Sequence, residues 1–216
     1  MRREAAIDYS LYLVTDSGLL AGRDFCQSVA AALRGGVSLV QLREKDRGTR
    51  DFFELAVRVK AVTDHYGVPL IINDRLDIAL AVDAAGLHIG QEDLPAGLAR
   101  RLLGSGKILG VSAGTLDEAL AAEDAGADYL GIGAVFPTGT KQDAREVGLA
   151  GLRAVTARVG LPVVAIGGIQ EQNLQSVLEQ EVAGVALVSA ILCQPEIEQA
   201  ARRLRGLVDG WRNLAV

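Results

Sequence analysis

The chain has 216 residues, half of them hydrophobic and 23% charged, which suits one domain with a sizeable core. A formal net charge of -5, with no Lys/Arg run interleaved with aromatics, argues against a nucleic-acid surface and leaves room for a local positive pocket. Two distant cysteines, Cys26 and Cys193, show no metal spacing and fit a reduced interior; no segment has the apolar length of a membrane span and no signal peptide is evident, so the cytoplasm is the expected location.

Short β-branched runs alternate with helical patterns along the chain. LYLVTD (11–16) is followed by the helical stretch FCQSVAAALRGG, VSLVQLRE (37–44) by DFFELAVRVKAVTDHYG, and PLIIND (69–74) by RLDIALAV. GLHIGQ (86–91) precedes LPAGLARRLL, and KILGVSA (107–113) precedes TLDEALAAEDAG. YLGIGAV (129–135), PVVAIGG (162–168) and GVALVSA (184–190) complete eight strands, and PEIEQAARRLRGLVDG closes the series as a helix. Such alternation predicts a parallel sheet, and eight repeats in this length predict its closure into a (β/α)8 TIM barrel, an α/β fold with residues 1–216 as one domain. An open doubly wound sheet would carry G-x-G-x-x-G after its first strand, and LYLVTDSGLLAG has none.

Reacting groups in such a barrel gather at the carboxyl ends of the strands. Asp16, Arg43 with Lys45, Asn73 with Asp74, Gln91 with Asp93, Ser112, Thr138 with Thr140 and Lys141, Gly167 with Gly168, and Ser189 all fall there. A period of two places Gln41, Arg43 and Lys45 on one face of strand two and Val40 and Leu42 on the other. The apolar pair must pack against helices, so the polar trio faces the barrel mouth. A single charge there would read as a solvated ion pair, whereas an amide and two cations in register imply an anionic ligand. Asp74 and Asp93 end neighbouring strands and can converge on a hard cation such as Mg2+. Each taken alone also reads as a helix N-cap, for RLDIALAV and LPAGLARRLL respectively. Together with Arg43, Lys45 and Lys141 the two carboxylates suit a metal-bound pyrophosphate.

AIGGIQ and VSAI each precede a helix, and backbone N–H groups at these two places suit a phosphate monoester. His65 reads as a helix C-terminal residue, and His88 as a hydrogen-bonded interior residue rather than a proton shuttle. Lys45, at a strand end beside Arg43, remains open as a Schiff-base lysine.

The chain resembles the thiamine-phosphate synthase family through QLREK (41–45), IND (72–74), GLHIGQEDLP (86–95), GVS (110–112), FPTGTKQDA (136–144), AIGGI (165–169) and Val188-Ser189. Members join 4-amino-2-methyl-5-hydroxymethylpyrimidine diphosphate to hydroxyethylthiazole phosphate, releasing diphosphate with the help of Mg2+. The resemblance implies that Gln41 and Asn73 contact the pyrimidine side and that Arg43, Lys45, Ser112 and Lys141 clamp the diphosphate. It assigns Asp74 and Asp93 to Mg2+, Thr138 and Thr140 to the thiazole phosphate, and backbone around Gly168, Val188 and Ser189 to that phosphate group. The long polar stretch after strand six is expected to act as a lid. Ala134, Ala85 and the AGT that follows Ser112 depart from the usual family text without removing a charge from the clamp.

Three alternatives stand beside this reading: a thiazole tautomerase-like paralogue, a non-catalytic phosphate-ligand-binding regulator on the same barrel, and an unrelated phosphate-sugar isomerase or aldolase. The tautomerase would not require the full set of Arg43, Lys45, Lys141, Asp74 and Asp93. The unrelated phosphate-sugar isomerase or aldolase would be betrayed by imine trapping at Lys45. The partners expected are small molecules, with oligomeric state left open by the sequence.

Overall fold

The computed structural model describes residues 7–138 and 146–214. Eight parallel strands close in sequence order: β1 (Leu11–Val14), β2 (Leu39–Leu42), β3 (Leu70–Asn73), β4 (Gly86–Ile89), β5 (Ile108–Ala113), β6 (Tyr129–Ile132), β7 (Val163–Ile166) and β8 (Gly184–Leu187), with β8 pairing back onto β1. The expected (β/α)8 barrel is therefore the observed fold. All eight strands fall inside the runs read from the sequence, and all but β5 are trimmed to four residues.

The helices are α1 (Phe25–Arg34), α2 (Thr49–His65), α3 (Leu76–Ala81), α4 (Ala96–Leu103), α5 (Leu116–Asp124), α6 (Gly148–Thr156), α7 (Leu174–Leu178), α8 (Ser189–Leu192) and α9 (Ile197–Leu214). A short 3-10 turn, Ser17–Leu20, follows β1, capped by the Asp16 carboxylate accepting from Gly18 N at 2.9 Å. The strand reading of GVALVSA needs correction at its end, because Ser189 opens α8 instead of extending β8. His65 is the last residue of α2, as its position implied.

Two apolar layers result from the period-two alternation of the strands. Val40, Leu42, Leu70, Ile72, Leu87, Leu109 and their counterparts point outward and are buried against the helices. Tyr12, Val14, Leu39, Ile71, Tyr129, Val164 and Ala186 form a separate inner cluster, with Tyr9 beneath it. The two tyrosines fit inside because small residues stand beside them: a Cβ on Gly110 would lie 2.2 Å from the Tyr129 ring. At the seam, α1 and α9 approach closely, since a Cβ on Gly35 would lie 2.5 Å from both Ala201 Cβ and Glu198 O.

Candidate active site

The inward-facing tyrosines fill the floor of the barrel and leave a cavity of about 410 Å³ at the carboxyl ends of the strands. Gln41, Arg43, Lys45, Asn73, Asp74, Asp93, Ser112, Thr138 and Val188 line it, each from a different strand end or the turn just beyond, apart from the β2 trio and the Asn73–Asp74 pair. Gly168 and Ser189 are not part of that lining, though their neighbours Gly167, Ile169 and Val188 are. Thr140, Lys141 and most of the expected lid lie outside the described residues.

The β2 trio behaves as its alternation predicts. Gln41 is buried in the barrel, and Arg43 and Lys45 follow on the same side at the mouth. Glu44, between them, turns away and accepts from Ser17 Oγ at 2.9 Å and Arg47 Nε at 2.8 Å. Among the described residues Arg43 meets one acid, with Nη1 3.4 Å from Asp16 Oδ2, and its backbone N donates to Thr15 Oγ1 at 3.1 Å. That long contact engages few of the guanidinium's five donors with carboxylate among the described residues.

The capping alternatives for the two aspartates do not hold. Arg75, not Asp74, occupies the α3 cap position, and Asp74 itself takes a left-handed backbone at φ 61°. Pro95 precedes α4, while Asp93 Oδ2 accepts from Gly90 N at 2.7 Å and so is held over the end of β4. Both carboxylates face the cavity together. Burial, a hydrogen bond with Asp93 and the charge of Asp93 push the Asp74 carboxyl up to about 6, against the opposing pull of Lys45 and Arg43. Two carboxylates crowded in this way beside open space are a fitting donor pair for a divalent cation that takes its other ligands from water and substrate oxygens.

The phosphate-side loops are shaped by close backbone approach. Gly167 and Gly168 both have positive φ, 99° and 65°, and a Cβ on Gly168 would meet Pro137 O at 2.6 Å and Phe136 O at 2.7 Å. The β7 turn is thereby pressed against the FPT segment that carries Thr138. Asn173 Nδ2 donates to Gly168 O at 3.0 Å, and Gln170 Nε2 donates to Ser189 Oγ at 3.2 Å, tying the β7 and β8 loops together.

Sequence reasoning did not single out Tyr12, Tyr129, Glu118 or Thr115, all of which also line the cavity. The last two were legible as a T-x-x-E helix start: Thr115 Oγ1 accepts from Glu118 N at 3.1 Å while Glu118 Oε2 accepts from Gly114 N at 2.7 Å.

A parallel barrel with cations and paired acids around one apolar-floored cavity defines an enzyme that works on an anionic small molecule. The Thiamine monophosphate synthase family model matches residues 11–191. The chain is 54% identical over 209 residues to a thiamine-phosphate synthase of Desulfitobacterium hafniense and 51% identical over 208 residues to one of Alkaliphilus oremlandii, covering 96% of this chain and 100% of each relative. A solved thiamine phosphate pyrophosphorylase from Pyrococcus furiosus superposes with a TM-score of 0.88 at 40% identity, over 95% of this chain and 98% of that one. The chain belongs to the thiamine monophosphate synthase family and is a transferase of thiamine biosynthesis.

Proposed function

We propose that the cavity joins 4-amino-2-methyl-5-hydroxymethylpyrimidine diphosphate to hydroxyethylthiazole phosphate, giving thiamine phosphate and diphosphate. The observation that carries the reading is the crowding of Asp74 against Asp93 opposite Arg43 and Lys45 at one rim of the cavity. The pyrimidine ring lies on the apolar floor, reached by Gln41 and Asn73. Its diphosphate is clamped by Arg43, Lys45, Ser112 and Lys141. Asp74 and Asp93 would hold Mg2+, which when bound offsets negative charge on the diphosphate. Thr138 and Thr140 hold the thiazole partner, whose phosphate rests on backbone around Gly168, Val188 and Ser189.

Charge placement then accounts for the chemistry. The bond between the methylene carbon and the bridging oxygen breaks with its electron pair going to diphosphate, where the cationic side chains stabilise the departing charge. The ring's donating nitrogens support the methylene cation that remains, and the lone pair of the thiazole nitrogen closes the new C–N bond. That nitrogen is already unprotonated, so no general base is required. His88, inside the barrel with both ring nitrogens engaged by Tyr129 and Ser112, is consistent with this.

The substrates are small and the reaction has no use for nucleic acid or lipid. No helix among the described residues is long and apolar enough to cross a membrane. Cys26 and Cys193 are free thiols. We place the protein in the cytoplasm. The test is direct: purified protein is mixed with both substrates and Mg2+ and the product is identified by mass. Thiamine phosphate should form and should vanish with a chelator. Binding of the thiazole phosphate without product would favour the regulator or the tautomerase.

A further inference from the structure

Five polar side chains form an unbroken row across the otherwise apolar interior of the barrel. Gln41 Nε2 donates to the Tyr12 hydroxyl at 2.9 Å, the Tyr12 and Tyr129 hydroxyls meet at 2.8 Å, the Tyr129 hydroxyl meets His88 Nδ1 at 2.9 Å, and His88 Nε2 meets Ser112 Oγ at 2.9 Å. The row runs through β2, β1, β6, β4 and β5, so no local sequence pattern creates it. Room has been left for it. A Cβ on Gly110 would collide with Tyr129, and one on Gly131 would lie 3.1 Å from His88 Cε1 and 3.9 Å from Ser112 Oγ.

Each hydroxyl has one proton, which makes the row directional. With Gln41 donating, the Tyr12 proton must go to Tyr129, and the Tyr129 proton to His88 Nδ1. A neutral imidazole that accepts at Nδ1 carries its proton on Nε2 and gives it to Ser112 Oγ. The proton of Ser112 is then turned away from His88 and toward the cavity. At the opposite end Gln41 keeps its carbonyl oxygen for the cavity. Burial holds both tyrosine hydroxyls above their ordinary range, so both remain protonated donors.

With His88 neutral and both tyrosine protons used within the row, the one other state has every bond reversed. Gln41 would then show its NH2 to the cavity and Ser112 its lone pairs. An anion facing Ser112 and an amino group facing Gln41 would both be mismatched in that state, and both matched in the first. We propose that Tyr12, Tyr129 and His88 are positioning residues that lock the row in one direction, holding Ser112 as a donor to an anion and Gln41 as an acceptor from an amino group of the same ligand. The identity of that ligand, an aminopyrimidine diphosphate, rests on the function proposed above. The direction of the row does not depend on it.

The test reads the His88 tautomer in ligand-free protein. Only two histidines are present, so a His65→Gln background leaves His88 as the sole 15N-histidine signal. At pH 8 the expected spectrum is that of a neutral ring protonated at Nε2. Gln41→Glu replaces the donor by an acceptor-only carboxylate and is expected to move the proton to Nδ1, three hydrogen bonds away. Tyr129→Phe keeps the ring, removes one link, and is expected to populate both tautomers. It should also lower kcat/KM for the pyrimidine diphosphate about tenfold, the scale of one hydrogen bond, with KM for the thiazole phosphate unchanged. An Nδ1–H or doubly protonated ring in the His65→Gln protein would overturn the proposal, as would a tautomer indifferent to both substitutions. A correctly directed row in a protein that makes no thiamine phosphate would support the row and remove only the functional reading.

Discussion

Asp74 and Asp93 stand carboxylate against carboxylate at the ends of adjacent strands, one fixed by a left-handed backbone and the other by the Gly90 N–H. Neither restraint is a helix cap. The protein without metal therefore retains an electrostatic conflict at its mouth, and the energetics of that conflict are measurable.

Because the Asp74 carboxyl is raised to about 6 by burial and by Asp93, the folded chain binds a proton there that the unfolded chain has already lost. Stability of the metal-free protein should fall as pH rises from about 4 to about 6 and carry a constant penalty above that. Asp74→Asn removes the charge and keeps a residue type tolerant of the left-handed region. It should raise the pH 8 melting temperature by about 2–4 °C, corresponding to roughly 1 kcal/mol once solvent screening is allowed for, and flatten the pH dependence. Thermal melts across pH, with and without Mg2+, check this. The wild type should be stabilised by Mg2+ and the variant should not; a variant still stabilised to the same degree would remove Asp74 from the metal site.

Lys45 lies on the same face as Gln41 and Arg43, within the electrostatic reach of Asp74. A clamp role predicts that Lys45→Ala lowers kcat/KM about a hundredfold, the scale of losing one charge-stabilising donor. It also predicts that borohydride added during turnover leaves the protein mass unchanged. A reduced adduct at Lys45 would instead reveal an imine and the aldolase chemistry left open by the sequence.

Lys141 follows the Phe136–Pro137–Thr138 turn, whose last residue lines the cavity. If it is the fourth member of the diphosphate clamp proposed above, it should behave like Lys45, and Lys141→Ala is expected to slow turnover about a hundredfold or more. Steady-state kinetics with each substrate varied in turn would show the loss in kcat. Near-normal turnover would remove it from the clamp.

The barrel was legible because each strand carries its outward apolar residues in a period of two and each helix follows in turn. The strand ends were less so. PVVAIGG reads as one strand, yet β7 stops at Ile166 because Gly167 and Gly168 adopt positive φ, which no strand continues through. Similarly, SAIL extends an apolar run in sequence while beginning a helix in space. The Gln41, Arg43 and Lys45 face was readable from alternation alone, since all three lie within five residues. The Tyr12–Tyr129 contact was not: it joins hydroxyls 117 positions apart, and each tyrosine by itself is only an aromatic in an apolar strand. Its one trace in the sequence is parity, in that Tyr12, Gln41, His88, Ser112 and Tyr129 all fall on the inward positions of their strands.

Gly168 offers the most local test of how the thiazole-phosphate side is assembled. Its φ of 65° disfavours any side chain, and a Cβ would press on the carbonyl oxygens of Phe136 and Pro137 at 2.7 and 2.6 Å. Backbone atoms cannot rotate aside as a side-chain tip can, so Gly168→Ala must displace either the β7 loop or the FPT turn. The cost to stability should be about 1–3 kcal/mol, as for other left-handed positions carrying a steric clash. If this loop and Thr138 together seat the thiazole phosphate, KM for that substrate should rise about tenfold or more, while the wild-type response to Mg2+ in melting experiments persists because Asp74 and Asp93 lie in the separate segments that follow β3 and β4. Equal rises in KM for both substrates would mean that the FPT turn serves the pyrimidine diphosphate as much as its partner, and an unchanged thiazole-phosphate KM would take that phosphate away from Gly168.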